Sequence, residues 1–232
     1  MMNAAVLPAL VTDGAAMDIP SFLRDVPEIE ARRILRSARA RRFSRREVVF
    51  HEGDLGDTLH IVESGHFMVV AESRAGVPVG LMVLREGDIF GHFATLRSEP
   101  RRRATVLSLG GGNTRCIGSS TLLALRVAFP GLTDRLLLEV TAEFDRYMAR
   151  LIELIAAPSE IRVLQRLVEL DELFDSGIRV RQEDLASLAG TSRSTVNRVL
   201  REEETRGSVR ISRSRIDVLD HEALLKRMAT QE

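Results

Sequence analysis

From Ser192 to Arg201 the chain sets Arg193, Ser194, Asn197, Arg198 and Arg201 on one face of a helical pattern, with Val196, Val199 and Leu200 on the other. No acid interrupts the polar face before Glu202. A helix of this kind can rest its apolar side on a core and extend long donors into a DNA major groove. Arginine suits that task because its planar fork fits O6 and N7 of guanine together. Ser192 is placed to cap the helix. Ahead of a Gly-containing turn at Gly190, Arg181 and Gln182 start a preceding helix, where backbone N–H groups can meet phosphate. Over residues 179–215 nine Arg face five acids, a balance of +4 in a protein whose formal net charge is zero. A nucleic-acid site would therefore be local and not the product of a global field.

A second cluster, Arg101-Arg102-Arg103, follows Gly91-His92. It reads as an anion site or as a solvated loop. His92 has no second His or Cys at a helpful spacing, so it reads as a hydrogen-bonded loop residue and not as a metal or haem ligand. No nucleophile, base and acid combine into a catalytic set, and no metal motif is present, so an enzyme is not expected. The single cysteine, Cys116, excludes an intramolecular disulfide and any multi-cysteine zinc or iron–sulfur site. It lies in an apolar strand pattern and is expected to be buried and inert.

These groups need elements to position them. The 232 residues, 44% hydrophobic and 28% charged, suffice for two ordinary soluble domains. No apolar run is long enough to span a bilayer and the first residues lack a signal-peptide pattern, which points to the cytoplasm. Short β-like runs at 48–50, 59–63, 67–71, 79–84 and 104–107 alternate with glycine turns, including Ser64-Gly65, which suggests a double-sheet roll. Gly110-Gly111-Gly112-Asn113 reads as a hairpin tip. Residues 132–157 lack Gly and Pro and form a helix of about 39 Å at 1.5 Å per residue. Val140, Phe144, Tyr147, Leu151 and Leu154 recur in steps of four and three, a seam on which two copies can pair. The competing reading is a long core helix of one domain. Pro158 ends that helix. After the 182–200 helix pair, Val209-Arg210-Ile211 and Arg215-Ile216-Asp217-Val218 read as a two-stranded wing.

Together these stretches resemble the catabolite-activator/FNR-type (CRP/FNR) regulators. The motifs that carry the likeness are Phe50-His51-Glu52-Gly53-Asp54, Ser64-Gly65, Glu86-Gly87-Asp88-Ile89-Phe90-Gly91 and the run from Gln182 to Arg198. After residues 1–20, whose small, apolar and unpatterned sequence reads as a mobile tail, the resemblance implies an α+β chain in three parts: a cyclic-nucleotide-binding-like β-roll (21–131), a dimerisation helix (132–157) and a winged helix-turn-helix (158–232). It implies a homodimer that binds palindromic double-stranded DNA, with RNA polymerase as a further partner and no membrane contact. Arg193 and Arg198 would read guanines. Ser194 stands where the family often has Glu, and Val180 stands where it often has a Thr cap.

The implied effector site departs from the family pattern. Gly91 and Arg102 keep the ends of the phosphate cassette. His92 replaces the Glu that usually binds a ribose hydroxyl, and Arg103 replaces a small hydroxyl residue. Tyr147 and Met148 stand where a polar pair usually meets the purine. A weak response to cyclic AMP is expected. The pocket is compatible with no ligand, and with a cyclic mono- or dinucleotide held by Gly91 and Arg102. Haem and iron–sulfur clusters are not expected. A nucleotide-binding module without DNA function is the alternative of another class.

Overall fold

The computed structural model describes residues 18–174, 177–213 and 215–230. The tail expected over 1–20 lies outside these except for its last three residues.

A short 3-10 turn, Ser21–Leu23, leads into α1 (Glu28–Ser37), which opens on acids after Pro27. Six antiparallel strands follow: β1 (Arg39–Phe43), β2 (Val48–Phe50), β3 (Thr58–Glu72), β4 (Pro78–Leu84), β5 (Ile89–Phe90) and β6 (Thr105–Gly118). The one-turn helix α2 (His92–Thr95) lies between β5 and β6. The sheet runs β1-β6-β3-β4, with β2 also on β6 and β5 on β3.

Two expected reversals are bends within continuous strands. Ser64-Gly65 lies inside β3, and Gly110–Asn113 lies inside β6. The bends face each other, with Ser64 paired to Asn113 and Gly65 to Gly112, and the register shifts on both sides of them. Gly65 has φ +80°, and a Cβ there would sit 2.2 Å from the Gly111 carbonyl oxygen. Only glycine permits that approach, so the residues that looked like turns let each strand serve both halves of the roll.

Beyond the bend, alternation along β3 and β6 separates two cores. Phe67, Val69 and Val106 point into the roll with Phe43, Val62, Leu84 and Phe90. Met68 joins Leu109 in a core shared with the C-terminal domain. A third core joins α1, the 3-10 turn, α3 (Ser119–Ala128) and the start of α4 (Gly131–Ala156) through Phe22, Leu35, Leu122 and Leu136.

Helix α4 runs from the roll to the C-terminal domain. That domain comprises α5 (Ser159–Leu173), α6 (Gln182–Ala189), α7 (Arg193–Arg206), the hairpin β7 (Val209–Ser212) and β8 (Arg215–Val218), and α8 (His221–Thr230). Its core is built from Leu164, Leu167, Leu185, Val196, Leu200 and Ile216.

The residues of the expected seam on α4 differ in exposure: Phe144, Leu151 and Leu154 are exposed, while Val140 and Tyr147 are half-buried. Tyr147 lines an internal cavity of its own subunit, and Leu154 approaches Gly190 of the helix-turn-helix. The exposed apolar stripe carries Leu137, Phe144 and Leu151, spaced by seven, together with Met148, Ile152 and Ile155. Phe144 and Leu151 thus stay on the exposed face, while Val140 and Tyr147 leave it. The cause is the breadth of the apolar pattern, which lets two adjacent strips satisfy the same spacing.

Candidate nucleic-acid interface and effector cavity

The helix-turn-helix forms because each break is encoded. Helix α6 ends at Gly190 in the left-handed conformation (φ +58°). The Ser192 hydroxyl then accepts the Thr195 N–H at 3.1 Å and starts α7. Val196, Val199 and Leu200 are buried, while Arg193, Ser194, Asn197, Arg198 and Arg201 are exposed, as expected.

The exposed donors are held by neighbours. Arg193 lies 3.2 Å from Glu183 on α6, and Arg198 pairs with Glu202 at 3.2 Å and with Glu160 on α5. Asn197 donates to the Gln182 side chain at 3.3 Å. The Ser194 and Ser192 hydroxyls are 2.7 Å apart. A cleft of about 500 Å³ between α6, the start of α7 and the wing is lined by Arg181, Gln182, Arg193, Asn197 and Arg215. Arg193 and Asn197, expected to touch bases, thus share a surface with Arg181 and Gln182, expected to touch phosphate, whereas Arg198, Ser192 and Ser194 lie outside this cleft.

The cap of α6 differs from expectation. Arg181, not Val180, occupies the N-cap position, and its N–H donates to Asp184 at 3.3 Å. Val180 is a core residue, 3% exposed.

Sequence reading missed the residues that fix this unit to the long helix. Arg162 donates to the carbonyls of Ala157, Ala189 and Gly190 at 2.7–3.0 Å, pinning the turn of the motif to the end of α4. Arg166 is 4% exposed and pairs with Glu153 and Glu169, each at 2.6 Å. Burial, with Arg166 nearby, pushes the Arg150 pKa down to about 10, and Arg150 donates to the Leu188 carbonyl. Apart from Ala157 and Glu169, which lie within five residues of the arginines they meet, these partners sit on other elements. Only the surplus of Arg on an otherwise apolar helix face hinted at them.

The second site is a cavity of about 450 Å³ between the roll, α2 and α4. Gly91, His92, Arg102, Arg103 and Tyr147 line it, as expected. Met148 does not, since it belongs to the exposed stripe, one position around the helix from Tyr147. Gly91 has φ +79°, and a Cβ there would meet the Arg102 guanidinium at 2.4 Å.

Arg102 is 4% exposed and already engaged. It donates to the carbonyls of Thr58 and Gly91 at 2.8 and 2.9 Å and to the Thr58 hydroxyl at 2.8 Å, and lies 4.0 Å from the Phe50 ring centre. Burial lowers its pKa, with Asp57 and Asp54 opposing.

His92 is 2% exposed, and its Nε2 lies 3.3 Å from a Glu143 carboxylate oxygen, a close contact without hydrogen-bond alignment. The Tyr147 hydroxyl donates to Glu143 at 2.8 Å. Burial would raise the Glu143 pKa, but His92, Tyr147 and Arg146 outweigh it and hold the carboxyl below its ordinary value. Burial foremost, then Glu143, pushes the Tyr147 phenol up. The position expected to carry a ribose-binding carboxylate thus carries an imidazole tied to the long helix.

Cys116 is buried beside His60, 3.3 Å from its Nδ1, and burial raises its thiol pKa. Among the described residues no helix is long and apolar enough to cross a membrane.

Comparison with known proteins matches both regions of the chain. Residues 40–127 match the cyclic nucleotide-binding domain model, and residues 161–227 match the Crp-like helix-turn-helix domain model. The second match displaces the alternative of a nucleotide-binding module without DNA function. A Thermus thermophilus protein named cyclic AMP receptor protein is 30% identical over 188 residues, covering 78% of this chain and 83% of that protein. A Mycobacterium tuberculosis CRP-like cAMP-activated global transcriptional regulator is 27% identical over 193 residues, covering 80% of this chain and 86% of that one. The structure of FixK2 from Bradyrhizobium japonicum superposes with a TM-score of 0.72 at 18% identity, over 82% of this chain and 96% of that one, which establishes the shared fold. With the roll, the long helix and the winged helix-turn-helix in this order, and relatives matching most of its length, the chain belongs to the CRP/FNR family of transcription regulators.

Proposed function

We propose that this regulator is a homodimer that reads a palindromic DNA site and does not respond to cyclic AMP. The observation that carries the DNA reading is the face of α7. A Ser192-capped helix offers Arg193, Asn197 and Arg198 to solvent while Val196, Val199 and Leu200 anchor it. Arg193 and Arg198 each hold a guanine. Arg181 and Gln182, at the start of α6, hold phosphate and carry little sequence information. Selection from random DNA followed by gel shift tests this reading. RNA polymerase is the partner through which such a regulator acts.

The apolar stripe on α4 supports the dimer. Phe144 is 59% and Leu151 49% exposed in one chain. Burying each side chain against a second copy contributes about 1.5–3 kcal/mol.

Insensitivity to cyclic AMP is supported by the cavity. Arg102 is engaged by carbonyls, His92 stands where a carboxylate would accept a ribose hydroxyl, and Tyr147 occupies the purine side. An unsatisfied ribose hydroxyl alone costs about 1–3 kcal/mol. A submicromolar dissociation constant for cyclic AMP by calorimetry contradicts this part of the reading.

A further inference from the structure

The cavity has a chemistry of its own. Its walls are mostly apolar, with Phe50, Leu81, Met82, Leu84, Phe90 and Phe93 among them. A nucleotide would have to surrender the hydration of its base edges and hydroxyls to these walls, which offer them few partners. An apolar ligand body has no such cost and gains by leaving water.

The charge is unbalanced in one direction. Arg97, Arg102 and Arg103 line the cavity, against one carboxylate, Glu143, which faces His92 and Tyr147. Among the described residues no carboxylate forms an ion pair with Arg102, although it is 4% exposed, and its Nε has no hydrogen-bond partner. The Nδ1 of His92, 2% exposed, is also without one. Arg97 and Arg103 are exposed and make no ion pair among the described residues. A buried guanidinium N–H left unpaired beside a cavity favours an anionic ligand acceptor, and the His92 Nδ1 adds an unpaired polar atom to the same wall.

We infer that the effector of this cavity is an amphipathic organic anion, an apolar medium-chain or aromatic body with a single carboxylate held by Arg103 and by the one Arg102 donor that the Thr58 and Gly91 oxygens leave free, its Nε–H. This rests on reading the cavity as an altered effector site. The two exposed arginines would draw the anion in, and the apolar walls would hold its body.

Calorimetry on the full-length protein tests this with four probes: octanoate, octanol (the same body without charge), butanoate (the same charge with a short body) and cyclic AMP. Octanoate is expected to bind saturably and about tenfold or more tighter than octanol or butanoate. The double variant Arg97→Gln/Arg103→Gln, both exposed and outside the cores, should weaken octanoate about fivefold and leave octanol unchanged. Equal binding of octanol and octanoate overturns the inference, as does the absence of saturable octanoate binding at millimolar ligand. Tight cyclic AMP binding overturns the altered-site reading beneath it. DNA selection on the same preparation keeps the regulator reading separate. Protein that selects a palindrome but ignores octanoate sinks only this inference, and protein that binds octanoate but selects no sequence sinks only the DNA reading.

Discussion

Arg46 of the roll reaches across to Asp184 of the helix-turn-helix, with Nη1 2.7 Å from Oδ2, and that same oxygen accepts the N–H of Arg181 that opens α6. One carboxylate therefore fixes both the start of the first DNA-facing helix and its docking on the roll. Arg46 is held at φ +67°, the one non-glycine residue at positive φ among the described residues. Ser187, which donates to the Pro78 carbonyl at 3.0 Å, and His66, stacked on Phe174 with ring centres 4.0 Å apart, extend the same contact.

Arg46→Ala should loosen this contact. Removing a charge-assisted bond at a partly buried site costs about 1–2 kcal/mol. Arg46→Gly loses the same bond but relieves the backbone, so it should be more stable than the Ala variant by about 1 kcal/mol. Unfolding curves rank the two, and faster amide exchange in α6 and β4 in both should mark the released interface. A Gly variant less stable than the Ala variant would show that the backbone at Arg46 is not strained.

Glu203 is 1% exposed and bonds Arg206 at 2.7 Å, Ser208 at 2.5 Å and Arg227, tying α7 to the wing and α8. Glu203→Ala leaves those partners without their anion and should cost about 3–5 kcal/mol. Glu203→Gln, which keeps an acceptor for Ser208, should cost less. Thermal unfolding of the two variants checks the order.

His60 is stacked on Phe90 at 4.8 Å, and its pKa falls from 6.5 to about 3, through burial first and then the charges of Arg102 and Arg41. The unfolded chain takes up a proton below 6.5, whereas the folded one does so only near 3. Stability is therefore complete above 6.5 and is lost as pH falls through that window, by about 1.4 kcal/mol per unit. In His60→Gln, unfolding free energy measured between pH 6.5 and 4 should fall less steeply by about that amount. An unchanged slope contradicts the burial of a neutral imidazole.

The two registers of α4 predict different outcomes. Leu151→Asp should shift sedimentation toward monomer and weaken DNA binding with it. Tyr147→Ala, which removes a ring that faces the cavity, should leave the dimer intact. Dissociation caused by Tyr147→Ala would restore the seam read from spacing alone.

The sequence was legible where one short segment carries its own signals. Gly190, Ser192 and the apolar positions of α7 specify turn, cap and face within a dozen residues. It was less legible where two solutions share one pattern. The apolar residues of α4 form a broad face, so Val140 and Tyr147 share the spacing of Phe144 and Leu151 although they are half-buried while Leu137 and Met148 are exposed. Gly65 and Gly111 offered positive φ, which serves a reversal and a bend equally, and only the pairing of β3 with β6 separates them. Arg162 and Arg166 were missed because, apart from the i,i+3 pair of Arg166 with Glu169, they meet carbonyls and Glu153 that no local spacing announces.

The phosphate and base contacts separate by their salt and sequence dependence. Arg181→Ala should weaken binding to all sequences alike and reduce the slope of log affinity against log salt by about 0.9 for each site lost. Ser194 lacks the carboxylate that would accept from cytosine, so the base pair between the two guanine contacts should be loosely specified, and Ser194→Glu should sharpen it toward cytosine.

The most direct measurement is selection from random double-stranded DNA by the wild-type protein, Arg193→Ala and Arg198→Ala in parallel. The wild type should yield a palindrome with half-sites about 34–36 Å apart, one recognition helix in each major groove. Each alanine variant should flatten preference at one base pair per half-site, a loss of about 1–3 kcal/mol of discrimination. Selection that yields no palindrome, or variants that select the wild-type sequence unchanged, would contradict α7 as the reader of DNA.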